Sequence, residues 1–97
     1  MWPDDWQAEL SGLRNEIDRI DSVIVELVSQ RMKVCERIGG IKSGHGMPIY
    51  VPQREAEVIR NRQGFGVLCG LSEKFVRVLF RVIMHESRRR QGDLVHA

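Results

Sequence analysis

From Leu10 onward, apolar residues recur three or four positions apart: Leu10, Leu13, Ile17, Ile20, Ile24 and Leu27, then Val34, Ile38 and Ile41. At 3.6 residues per turn these positions form one stripe, so the spacing predicts a single long helix from about residue 6 to about residue 42. At 1.5 Å per residue such a rod is roughly 55 Å long. A small monomer cannot cover a seam of that length, and a second copy of the chain is expected to cover part of it. Ser43-Gly44-His45-Gly46-Met47-Pro48 then reads as a reversing loop. Pro52 suits the first turn of a second, short helix, with Ala56, Val58 and Ile59 on its apolar side and Gly64 or Gly66 as its stop. Ser72 is placed to cap a third helix, with Glu73 in its first turn and Phe75, Val76, Leu79, Phe80, Val82, Ile83 and Met84 on its buried side. Arg88-Arg89-Arg90 sit near its far end, where cations complement the helix dipole. No alternating strand pattern or repeat interrupts this series, so the predicted class is all-α, three helices in one domain over residues 1–97.

Composition narrows the function. The chain has 97 residues and 42% hydrophobic content, which fits one core. A domain this small gains stability from a partner subunit. Fifteen Lys and Arg against thirteen Asp and Glu leave a charge of +2, and six per cent aromatic content offers few stacking platforms, so nucleic acid is not the expected partner. Met1 to Trp6 has neither a signal-peptide nor a membrane pattern, which predicts a cytoplasmic protein without membrane association. Cys35 and Cys69 have no metal or redox spacing and are expected to be reduced, structural thiols. His45, His85 and His96 lack ligand spacing and read as loop, surface and tail residues, so neither a metal nor another cofactor is expected.

The first helix carries an arginine in its seam. Arg31 lies four residues after Leu27 and three before Val34. Burying a guanidinium there is tolerable only where an anion meets it, from the protein or from a ligand. Lys42 is eleven residues further on, about 20° around the helix and roughly 16 Å along it, so the two cations share a face with a gap between them that suits a small polyanion. Gly39 and Gly40 remove side-chain bulk near that gap, or else only loosen the helix end. Arg14 is about 25 Å from Arg31 and about 100° around the helix, beyond the reach of the gap. In an antiparallel dimer it can complete the partner's pocket; alone, it pairs with Asp18. The stripe of the third helix continues into polar Ser87 and Gln91, and Arg54-Glu55 directly follow the loop.

The ordered set Leu13-Arg14-x-x-Ile17-Asp18-x-Ile20-Asp21, Arg31, Lys42, Arg54-Glu55, Ser87 and Gln91 resembles the all-helical, type II chorismate mutases over almost the whole chain. The resemblance implies an intertwined homodimer with two active sites and an isomerase of the shikimate pathway and aromatic amino-acid biosynthesis that converts chorismate to prephenate. It also implies roles. Arg14 of one subunit with Arg31 and Arg54 of the other, helped by Ser87, would hold the two substrate carboxylates. Lys42 and Gln91 would donate to the ether oxygen, and Glu55 would accept from the ring hydroxyl. The residue chemistry fits. Guanidinium forks match carboxylates, and a [3,3] rearrangement needs no nucleophile, metal or proton transfer. It needs a compact conformer and positive charge where the breaking C–O bond turns negative. One position departs from the family pattern: Val51 stands where Asp is common, so only its backbone N–H remains for the substrate and the accepted ring substituent is open. Isochorismate-pyruvate lyase activity and a mutase acting on 4-amino-4-deoxychorismate are the alternatives, as is a mutase domain dependent on another enzyme. A helical dimerisation or nucleic-acid-binding module built on Arg88-Arg89-Arg90 is the non-enzymatic one.

Overall fold

The computed structural model describes residues 5–92, so His96 lies outside the described residues. Three helices follow one another: α1 (Trp6–Gly44), α2 (Pro52–Leu68) and α3 (Glu73–Gln91). The all-α class and the order of one long, one short and one medium helix agree with the periodicity. The chain divides into an N-terminal unit up to Arg31 and a second unit from Met32 onward.

The N-terminal unit is the first part of α1. The Asp5 carboxylate accepts from the Ala8 N–H at 3.3 Å and so caps the helix. None of residues 5–31 is buried, and the predicted seam is open: Ile17 is 54% exposed and Ile20 59%. A row of exposed large aliphatic side chains at three-four spacing is the pattern of an interaction surface.

The second unit holds the core. Met32, Cys35 and Gly39 form the buried line of α1; Val58 and Gly66 come from α2, and Val76, Met84 and Ser87 from α3. Helices α2 and α3 pack together. The buried side of α3 is narrower than its sequence suggests, because Phe75, Leu79 and Val82 are exposed while Phe80 and Ile83 are half-buried. The end of α2 also departs from expectation. Neither Gly64 nor Gly66 stops it, and the helix continues to Leu68. Gly66 serves packing: a Cβ there would lie 2.6 Å from Val76 Cγ2. The chain turns instead at Gly70, whose φ of +83° is a left-handed conformation that suits glycine. As expected, Ser72 caps α3, its Oγ accepting from the Phe75 N–H at 3.1 Å. Gly92, at φ 115°, ends it. Of the two cysteines, Cys35 is buried as expected and Cys69, at the end of α2, is exposed.

Candidate active site

The last turn of α1 meets the last turn of α3 because Gly39 has no side chain. A Cβ at that position would lie 2.5 Å from the Gln91 carbonyl oxygen and 2.6 Å from its Cα. Gly40, next to it, faces open space. The close approach brings Lys42 against Gln91, and Lys42 Nζ donates to Gln91 Oε1 at 2.8 Å and to the Ile49 carbonyl at 2.9 Å. An ammonium has three donors and a primary amide has two more. With its oxygen engaged by Lys42, Gln91 presents its NH₂ group elsewhere, and Lys42 keeps one N–H to give. Both line a half-open cleft of about 380 Å³, together with Gly39, Met47, Ile49 and Gly92.

One turn back along α3, Arg88 Nη1 donates to both carboxylate oxygens of Glu55, at 2.7 and 2.8 Å. The guanidinium carbon also lies 4.9 Å from the centre of the Tyr50 ring. This pair is partly buried, with side chains 24% and 20% exposed, and ties the first turn of α2 to the last turns of α3. Arg88 and Gln91 are three residues apart and so neighbours on one face of the helix. The structure therefore brings Lys42, Gln91 and Glu55 into one neighbourhood of the second unit. Arg88 and Tyr50 belong to it as well; the sequence reading gave Arg88 to the helix dipole or to a nucleic-acid surface and did not single out Tyr50.

The other expected site residues stand differently. Arg54 is exposed on α2, where its guanidinium bonds Glu57 at 2.6 Å. Ser87 is 4% exposed, and its hydroxyl donates to the Ile83 carbonyl at 2.7 Å and lies 4.0 Å from the Met32 sulfur. Val51 is half-buried as the residue preceding α2, without a side-chain cap. Arg14 is exposed and Arg31 half-buried in the N-terminal unit. Among the described residues, no salt bridge joins Arg14 to Asp18. Nor does any group of His, Cys, Asp and Glu among them suit a metal ion, and no described helix is long and apolar enough to cross a membrane.

Comparison with known proteins places the chain in a family. The family model for chorismate mutase type II matches residues 13–92. The chain belongs to the chorismate mutase type II family. Among relatives of this family, a T-protein from Enterobacter agglomerans is 34% identical over 86 residues, which is 89% of this chain and 23% of that protein. A 4-amino-4-deoxychorismate mutase from Streptomyces venezuelae is 36% identical over 89 residues, covering 92% of this chain and 85% of that protein. A conserved hypothetical protein from Pyrococcus furiosus superposes with a TM-score of 0.70 at 34% identity, over 86% of this chain and 95% of that one. The chain thus spans less than a quarter of the T-protein but most of the Streptomyces mutase.

Proposed function

We propose that the chain is a chorismate mutase that converts chorismate to prephenate by a [3,3] rearrangement, as a single domain that works in a homodimer. The observation that carries this reading is the Lys42–Gln91 pair, which keeps N–H donors on both residues at the wall of a cleft. As the C–O bond of the substrate breaks, its ether oxygen gains negative charge. Preorganised donors at that point lower the barrier without any covalent step. Glu55 accepts from the ring hydroxyl. Arg31 and Arg54, with Arg14 from the partner subunit, hold the two carboxylates; Arg54 exchanges Glu57 for the substrate, an exposed pair that is easily broken. The Ser87 hydroxyl joins them only after rotating away from Ile83, so its share in binding is small. Val51 contributes its backbone N–H.

The open seam of α1 supports the dimer. The six aliphatic side chains of the stripe, Leu10, Leu13, Ile17, Ile20, Ile24 and Leu27, are each at least a third exposed. At roughly 1.5–3 kcal/mol for each full burial, covering them by a second copy contributes roughly 5–10 kcal/mol. The reduced thiols Cys35 and Cys69 fit a cytoplasmic enzyme. The three arginines at the end of α3 bond Glu55, Glu86 and Glu36, which leaves a poor phosphate-binding surface and weakens the nucleic-acid reading.

A second substrate, 4-amino-4-deoxychorismate, is favoured by one observation: the Streptomyces relative named for it is close to this chain in length. Incubating the purified protein with chorismate, isochorismate and 4-amino-4-deoxychorismate, with products resolved by proton NMR, separates the readings. Prephenate is expected. Salicylate with pyruvate, or no turnover by a folded protein, refutes the proposal.

A further inference from the structure

The geometry points to Arg88 as the residue that sets specificity at the ring substituent: by neutralising Glu55 it selects a substrate with a neutral hydroxyl there against one with an ammonium. This inference rests on the mutase reading and on Glu55 as the partner of that substituent. It starts from the bidentate contact. One nitrogen of Arg88 reaches both oxygens of Glu55, at 2.7 and 2.8 Å. A carboxylate offers about four lone-pair sites, so two remain, and a hydroxyl needs one of them. Hydrogen bonding to an alcohol is therefore retained. The charge is not. Glu55 and Arg88 together carry no net charge, and an ammonium gains little where the carboxylate is already matched.

An ammonium is also repelled. A cation donating to either Glu55 oxygen at about 2.8 Å lies within about 5.6 Å of Arg88 Nη1, whose own contacts to those oxygens are 2.7 and 2.8 Å. Arg88 is held in place, for its guanidinium stacks over Tyr50 at 4.9 Å and only 24% of its side chain is exposed. It is thus a positioning residue with a fixed charge. The site penalises a cationic substituent by about tenfold or more in relative rate, the scale of one like-charge contact in a partly wet cleft.

The test is the ratio of kcat/KM for chorismate to that for 4-amino-4-deoxychorismate, measured on one preparation of each protein. A ratio cancels the folded fraction, so a purely structural loss leaves it unchanged. The wild-type chain is expected to favour chorismate. Arg88→Met and Arg88→Gln shift the ratio toward the amino substrate by about tenfold or more, while Arg88→Lys keeps it near the wild-type value. A ratio that ignores residue 88 in both neutral variants, or a wild-type chain that prefers the amino substrate, overturns the inference. A folded wild-type chain that turns over neither substrate instead removes the mutase reading, and this inference with it.

Discussion

Gly39 and Gly40 are neighbours of the same type in the same helical turn, and the structure gives them opposite roles. Substituting Gly39 by Ala puts a methyl group 2.5 Å from the Gln91 carbonyl oxygen, where an ordinary contact is about 3.5 Å. Something must move by about 1 Å, and the atoms in the way are backbone, so no side chain can turn aside. If the end of α3 moves, the Lys42–Gln91 hydrogen bond of 2.8 Å stretches to about 3.8 Å, beyond a working hydrogen bond. Overpacking of this kind costs about 1–3 kcal/mol. Alanine regains up to about 1 kcal/mol of helix propensity, but Gly40→Ala regains the same amount without a clash. The difference between the two variants therefore isolates the clash: Gly39→Ala should be less stable than Gly40→Ala by about 1–3 kcal/mol in urea denaturation. A misplacement of about 1 Å at reacting groups can lower a rate by about a hundredfold, so kcat should fall at least tenfold in Gly39→Ala alone. Equal stability and equal kcat for the two variants would refute the argument from close approach.

Three further outcomes follow from other parts of the structure. Val51→Asp supplies the missing cap of α2, which has no side-chain bond at its start, and should stabilise the chain by about 0.5–2 kcal/mol in the same denaturation assay. Mixing Arg14→Ala and Arg31→Ala chains should regenerate one complete pocket in each heterodimer and restore up to about half of the activity; no recovery despite subunit exchange shown by native mass spectrometry contradicts the action of Arg14 across the dimer. Hydrogen bonds from Arg89 and Arg90 hold the exposed Glu86 carboxyl below its ordinary value of 4.5, so its contribution is complete above that pH and is lost as pH falls through the lowered value. The stability gap between wild type and Glu86→Gln should therefore narrow as pH falls below 4.5, which a series of urea curves from pH 7 downward will read.

Most of the fold was legible because its signals are local. The three-four stripe of α1, Pro52 at the start of α2 and the Ser72 cap each concern residues within one or two turns. What the sequence hid depends on which helix faces which. Gly66 looks like a stop until Val76 is seen lying against it, and Phe75, Leu79 and Val82 look buried until the position of α2 fixes the covered side of α3. In the site, Lys42 was legible from sharing a face with Arg31, and Gln91 as a polar residue continuing the apolar stripe of α3. The Glu55–Arg88 pair was not, since the two residues are far apart in the chain and each has an adequate local explanation: a first-turn acid and a last-turn base. Ser87, a polar residue on the stripe of α3, bonds the Ile83 carbonyl of its own helix, a local contact that the stripe alone does not reveal.

In the proposed mechanism the Lys42–Gln91 pair stabilises charge on the breaking bond of chorismate. Steady-state kinetics of wild type and Lys42→Ala, with prephenate formation followed directly, tests it. Wild type should produce prephenate, and Lys42→Ala should lose about a hundredfold or more in kcat, because the charge it meets develops only in the transition state. A Lys42→Ala protein with kcat intact and only KM raised would make Lys42 a binding residue and contradict the mechanism.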